Sequence, residues 1–454
     1  MIDAVSFFDY ANKYLWGIPA LIFISAAGVY FTICTNFVQI RKFKTAIKNT
    51  FGKMFEKGNK KDGTITPFQA LCTALAATVG TGNIACIAGA VALGGPGVVF
   101  WLIVSSFLGM PVKFAEIATA VKFRQKTVRG EYAGGPMYSI KNGLGPQFEI
   151  LAVIFSLCGA IAVFGTGNLV QVNTMIDSLK TISSVKQHIT YKVVFLTGVI
   201  FALLTYSAMR GGIKSISAVT QILIPFMAAG YVILCTGAVI YNFNNIIPTL
   251  KNIIIGAFNP KAVTGGVVCS AFTCIQSGFA RGIFSNEAGL GTASIAHAGA
   301  NSTPVKQGYF GIAEVFADTT VICTLTAFTI LTSGVNIEYG IDAGAELTIN
   351  ALKVTYGSFA PGFITVCLFM FAFSTVIGWG FYGVRCVEFL LGEKSVKIFT
   401  AIYSAAVIAG CTAQLKTVWS MAQFFNGIMI FPNLIHLFLL SPQLIKTLGN
   451  SKEK

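Results

Sequence analysis

Charge is what this sequence has least of. Asp, Glu, Lys and Arg make up only 11% of its 454 residues, while 54% are hydrophobic. A soluble domain carries about twice that charged fraction, so the composition excludes a soluble globular protein and indicates a polytopic α-helical membrane protein. Acidic residues are the scarcer sign, 17 against 32 basic, for a net charge of +15. In a soluble chain that excess would point to nucleic acid. Here the basic residues sit in short joins between apolar runs, where orientation in a lipid bilayer explains them. Histidine occurs only three times, at 188, 297 and 436, with no HExxH, and there is no GxxxxGK[ST] phosphate loop, so nothing suggests ATP hydrolysis. Cysteine is present eleven times but never as CxxC. All eleven lie within or at the edges of apolar runs, where cysteine serves as a small packing residue. The start, MIDAVSFFDYANKY, lacks a basic n-region, and the first apolar run is too long for a signal peptide, so it reads as a retained helix.

What the chain has in place of charge is long apolar runs. Roughly 20 apolar residues cross the hydrocarbon core. At that length eleven spans are predicted, over 14–36, 66–93, 97–121, 148–178, 191–209, 213–241, 262–284, 307–335, 361–391, 396–412 and 418–440. No linker or composition shift separates soluble domains, so residues 1–454 read as one membrane domain. The joins carry the charge asymmetrically. Arg41, Lys42, Lys44, Lys48, Lys53, Lys57, Lys60 and Lys61 follow the first span. Arg124, Lys126, Arg129 and Lys141 follow the third, and Arg210, Lys214, Lys394 and Lys397 fall on the same side. Glu338, Asp342 and Glu346 fall on the other. The positive-inside rule then places the N-terminus outside and the C-terminus in the cytoplasm of a cell-membrane protein. FVQIRKFKTAIKNTFGKMFEK, 37–57, reads as an amphipathic helix on the cytoplasmic leaflet; a solvated basic linker is the alternative.

Two of the runs are disturbed. TVGTGNIACIAGAVALGGPG, 78–97, carries Gly80, Gly82 and Asn83 in mid-span, and CSAFTCIQSGFARGIFSNEAGLGTASIAH, 269–297, is interrupted in the same manner. Backbone opened at mid-membrane depth is tolerated only where it lines a buried cavity, and there it binds ions or small polar ligands. Two interrupted helices, one in each half, predict a transporter with a central site. A channel has no need of such a closed pocket, and the scattered polar residues assemble no acid–base or metal constellation for an intramembrane enzyme.

GTGNIACIAGAVALGGPGVVFW (80–101), GGPMYSIKNGLG (134–145), RGIFSNEAGLGTASIAHA (281–298) and FSTVIGWGFYG (373–383) resemble the alanine/glycine:cation symporter family of bacteria and archaea. Cys86 and Thr292 depart from the family's more usual Gly and Ser. The resemblance implies a LeuT-type fold: an extra first helix (14–36), then two inverted five-helix repeats over 66–241 and 262–440, each opened by a discontinuous helix. It implies a sodium-coupled symporter importing a small neutral amino acid, alanine or glycine, by alternating access, with no enzyme activity and no cofactor beyond the co-transported sodium. Proton coupling, or another neutral amino acid such as serine or glutamine, is the alternative.

The site residues follow. N–H groups of Gly80, Thr81 and Gly82, with Thr78, suit a substrate carboxylate through orphan donors and the positive helix end. Carbonyls of Ala76 and Val79, with Asn83, are hard oxygen ligands suited to sodium, although the same glycines would also permit close helix packing. GTGN recurs at 165–168, and Phe164, Asn168 and Gln171 fall on one helical face that could wall the site. Thr273, Gln276, Ser277 and Gly278 surround the second interruption, Thr273 as a sodium ligand and the other three toward the substrate ammonium. Ser374 and Thr375 resemble the paired hydroxyl ligands of a LeuT-type sodium site. Thr375 and Trp379, one turn apart, would also face the substrate, with Trp379 limiting its size. Arg281 could pair with Glu287 as an inner gate, Asp318 could neutralise a bound cation, and Glu116 is expected to pair with Lys113 or Arg281.

Overall fold

The computed structural model describes residues 4–50, 52, 64–128, 130–179, 190–268, 270–412 and 416–450. Among these, nine helices are long and apolar enough to cross a membrane, and a tenth crossing is a bent pair. The spans are α1 (Phe7–Cys34), α2 (Pro67–Thr78 with Gly82–Gly94), α3 (Val98–Lys122) and α4 (Pro146–Leu179). They continue with α5 (Tyr191–Arg210), α6 (Gly212–Tyr241), α8 (Pro304–Thr332), α9 (Phe359–Leu391), α10 (Ser395–Thr412) and α11 (Val418–Gly449). Between α6 and α8 lies α7 (Ala271–Asn286), continued by the short helix Thr292–His297. The architecture is all-α and polytopic, with its two interrupted helices, α2 and α7, five helices apart. Arg129, His188 and Cys269 lie outside the described residues, as does most of 51–63.

Local chemistry sets the helix starts. Thr66 and Gln69 form a reciprocal capping box ahead of Pro67, which fixes the entry of α2. Ser270 accepts from the Phe272 N–H at the start of α7. Two spans carry a π-helical stretch, Gly165–Leu169 in α4 and Phe316–Cys323 in α8. Such a stretch widens the turn and shifts the phase of everything beyond it.

The eleven predicted spans match these helices within a few residues, with three exceptions, one of them the last, which runs to Gly449 rather than 440. The first begins at Phe7 rather than 14. The seventh is expected over 262–284, but 263–268 is not helical and the helix runs from Ala271 to Asn286. The amphipathic 37–57 segment is helical over Val38–Arg41 and Phe43–Thr50, and Phe43 sets its ring 4.9 Å from that of Phe316 on α8. A short hairpin follows α3, pairing Gln125 with Ala133 and Lys126 with Tyr132. Just beyond the turn of that hairpin, Glu131 is tied at 2.6 Å to the buried Arg385 of α9, which also holds Glu388 at 2.6 Å.

Candidate functional site

The break in α2 is made by side chains that take over backbone donors. Gly80 N–H donates to the Asn83 side-chain oxygen at 2.9 Å, and Thr81 N–H to Gln171 Oε1 at 3.2 Å. Their usual i−4 acceptors, the carbonyls of Ala76 and Ala77, are thereby released from the ladder. Asn83 N–H turns instead to the Gly80 carbonyl at 3.3 Å, which frees the carbonyl of Val79. Val79 itself leaves the helical path, at φ −83° and ψ 92°. The two halves of α2 meet at 44°.

One side of this break faces α4 and α9. The Thr81 hydroxyl donates to Gln171 Oε1 at 2.7 Å, and Gln171 in turn donates to the Thr166 carbonyl at 3.0 Å. A Cβ on Gly80 would stand 2.6 Å from Thr375 Oγ1 and 3.2 Å from Gln171 Oε1, so only glycine lets the backbone approach these groups. Thr375 Oγ1 is buried and has no hydrogen-bond partner among the described residues. Trp379, 1% exposed, lies one turn further along α9, against Gly167.

The other side faces α7 and α8. Asp318, fully buried in the π-helical stretch, receives Asn83 Nδ2 at 2.6 Å on one oxygen. On the other it receives Ser285 Oγ and Thr319 Oγ1, each at 2.7 Å. Asn286 donates to Thr319 at 3.0 Å, and Cys323 Sγ lies within 3.2 Å of Asn83 and Ser285. This is one carboxylate flanked by two hydroxyls and held by the Asn83 amide NH2, an oxygen set that suits a hard cation better than a soft metal.

The interruption of α7 lies at Glu287–Gly291, just past Ser285. Glu287 takes φ 54°, and Gly289 and Gly291 take φ 96° and 81°. Glu116 of α3 holds this loop: its Oε1 accepts from Gly289 N–H at 2.8 Å, Gly291 N–H at 3.1 Å and Asn433 Nδ2 of α11 at 2.7 Å. Beneath it Glu314 meets His297 at 3.0 Å and Lys113 at 3.5 Å, all three buried, and Glu287 bonds the Thr292 hydroxyl.

The predicted residues therefore divide. Ala76, Thr78, Val79, Gly80, Thr81, Gly82 and Asn83 all lie at the α2 break, and Gln171 and Thr375 converge on it, while Trp379 lies a turn beyond Thr375 against Gly167 of α4. Gln276, Ser277 and Gly278 do not. They sit in unbroken helix, where a Cβ on Gly278 would lie 2.6 Å from that of Trp101 on α3 and Ser277 lies against Gly94. Small residues there serve helix packing. Thr273 is exposed, and Ser285, three turns on, takes the place expected of it beside Asn83. Phe164 and Asn168 turn away to α10. The Phe164 ring lies 5.5 Å from Tyr403, and Asn168 donates to the Tyr403 carbonyl at 2.7 Å. The π-helical turn between Phe164 and Gln171 rotates the two apart. Ser374 donates to the Phe371 carbonyl at 2.9 Å and lies 3.7 Å from Met227 Sδ on α6, so it is not paired with Thr375. Arg281 lies 3.9 Å from Asp342, not beside Glu287, and Glu116 caps backbone rather than pairing with Lys113 or Arg281. Sequence reasoning misses Ser285 and Thr319 as partners of Asp318; SN in FSNEAGLG and DTT in α8 are the available signals.

A cavity of about 810 Å³ descends from the side of the Asp342 loop to within a turn of the α2 break. Cys86, Asp177, Arg281, Asp342, Glu346 and Trp419 line it.

The profile of the sodium:alanine symporter family matches residues 1–454. The chain is 39% identical over 448 residues to the sodium/alanine symporter AgcS of Methanococcus maripaludis, covering 97% of this chain and 95% of that one. It is 34% identical over 437 residues to the probable sodium/glutamine symporter GlnT of Bacillus subtilis, covering 95% and 87%. A crystal structure of MhsT in complex with L-phenylalanine superposes with a TM-score of 0.57 at 12% identity, over 86% of this chain and 100% of that one.

Proposed function

The chain belongs to the sodium:alanine symporter family, and from that premise we propose how its central site couples a small neutral amino acid to sodium. It is a multi-pass membrane transporter, not an enzyme. The observation that carries the reading is the α2 break itself, with orphan donors and a close-approach glycine on one side and a buried carboxylate on the other.

The substrate carboxylate docks at Gly80 and Thr81. Gln171 Oε1, which now accepts from the Thr81 N–H and hydroxyl, holds those donors in place and yields them to the incoming anion. The unpartnered Thr375 hydroxyl faces the same spot, and Trp379 closes the side-chain end of the pocket. Alanine and glycine are the substrates this reading favours, because a bulky Trp379 limits the side chain. A methylene that does not fit costs about 1–3 kcal/mol.

Sodium takes the Asp318 side, with Ser285 and Thr319 supplying hydroxyl oxygens and Asn83 orienting the carboxylate. The released carbonyls of Ala76 and Val79, with Thr375, form a second candidate position. One positive charge moving inward is worth about 2.3 kcal/mol per 100 mV, enough for roughly a 50-fold gradient. With the N-terminus outside, as the basic joins direct, the cavity over Cys86 opens outward and the Glu116–Glu314 network closes the inner side. Rocking of one helix group against the other then exchanges access.

Uptake of labelled alanine into proteoliposomes tests this. Accumulation driven by an inward sodium gradient, lost when potassium replaces sodium and competed by glycine, is the expected result. Uptake driven equally by a proton gradient without sodium would overturn the coupling.

A further inference from the structure

A second cavity, of about 320 Å³, lies between the first half of α2, α6 and the π-helical stretch of α8. Its walls are apolar: Leu75 and Val79 from α2, Pro225 and Ala228 from α6, Ala317 and Val321 from α8. It borders the surface of the bundle, where Ile222, Phe226 and Ile233 of α6 are 69%, 72% and 72% exposed. In a membrane protein that exposure is contact with hydrocarbon.

The groove has the dimensions of one leaflet. From Phe68, at the start of α2, to Val79, at the break, the helix rises about 16 Å, half of the ~30 Å hydrocarbon core. It ends where the methyl ends of lipid chains meet. Along α6 the lining residues Pro225, Ala228 and Val232 share one face, spaced three and four residues apart. Lys214 lies eleven residues before Pro225 on that same face, about 16 Å nearer the membrane edge, and is exposed. A cation stands at headgroup height at the mouth of a chain-length apolar slot.

We propose that this groove binds one acyl chain of an anionic phospholipid from the leaflet next to Phe68, with Lys214 meeting its phosphate. The chain fills the slot that helix packing leaves open, its end resting on Val79 and on the turns that flank Asp318. The site is distinct from the central one and shares only a wall with it.

The test uses the full-length protein in phosphatidylcholine liposomes doped with phosphatidylglycerol carrying a diazirine near the end of one acyl chain. After irradiation, labelled residues are mapped by peptide mass spectrometry. Label concentrated in Leu71–Val79, Ala228–Val232 and Ala317–Ile322 is expected. Ala228→Phe should lower it about tenfold, the equivalent of about 1.4 kcal/mol. Ile233→Phe, on the exposed flank, should leave it unchanged, and Lys214→Gln should lower it more for phosphatidylglycerol than for a phosphatidylcholine probe, whose choline already offsets the phosphate charge. Label spread evenly over exposed residues such as Phe226 and Ile233 would overturn the proposal. The wild-type map decides even if Ala228→Phe does not fold.

Discussion

Asp318 concentrates the chemistry of the α2–α7–α8 face, because three donors converge on a single fully buried carboxylate. Hydrogen bonds to a charged group are worth about 1.5–3 kcal/mol. Asp318→Asn keeps the shape and removes the charge, and should raise the sodium needed for half-maximal alanine uptake roughly ten- to hundredfold. An unchanged sodium dependence would remove Asp318 from the cation site, and the same measurement on Asn83→Ala tests its neighbour. On the opposite face, Trp379→Ala should weaken alanine uptake and admit larger neutral amino acids; unaltered competition by those amino acids would take Trp379 out of the pocket. The α2 cluster is legible in the sequence because two glycines and an asparagine weaken a helix that lipid otherwise requires to be intact. Thr273 misleads for a reason of register. Its hydroxyl belongs to the first turn of α7, and the residue that reaches Asn83 is Ser285, three turns on, which only the position of the break reveals.

That break is an element-scale fact. Gln276, Ser277 and Gly278 and the true interruption at Glu287–Gly291 are both small and polar in sequence, so composition alone does not separate them. What separates them is the neighbour: α3 comes close against Gly278, whereas Glu116 reaches across to the N–H groups of Gly289 and Gly291. Glu116→Ala would leave the buried N–H groups of Gly289 and Gly291 without their acceptor, at about 1–3 kcal/mol each, and Asn433 with only the Gly289 carbonyl. Its melting temperature in detergent should fall well below that of Glu116→Gln, which retains an acceptor oxygen. Equal melting of the two variants would argue against the cap. The π-helical stretches are likewise invisible to a periodicity of 3.6 residues per turn, which puts Phe164, Asn168 and Gln171 on one face. Gly167 in the first stretch sits directly against Trp379. Gly167→Ala should therefore cost about 1–3 kcal/mol of stability by overpacking against the Trp379 Cβ, less in a Trp379→Gly background, since contacting sites do not add.

The whole molecule is a bundle opened on one side. Helix order and the five-helix offset between the interrupted helices follow from hydropathy and two glycine clusters, whereas the count of eleven spans includes α7, too short over Ala271–Asn286 to cross as one helix. Which side is open does not follow from them, because it depends on how Arg281 and the Asp342 loop fall across the cavity mouth. That pair is 3.9 Å apart and part exposed, with side chains 23% and 62% accessible. Exposed pairs are worth about 0–1 kcal/mol, so Asp342→Ala should leave folding intact while widening the entrance. Cys86 lines that same cavity and is only partly covered. All but one of the other cysteines among the described residues are buried, and the exception, Cys34, closes α1 at its far end. The chain thus carries a native reporter: a membrane-impermeant thiol reagent should modify Cys86 while the cavity is open and stop doing so when bound alanine and sodium shut it. The rate of that modification reads the position of the transport cycle without a single engineered residue.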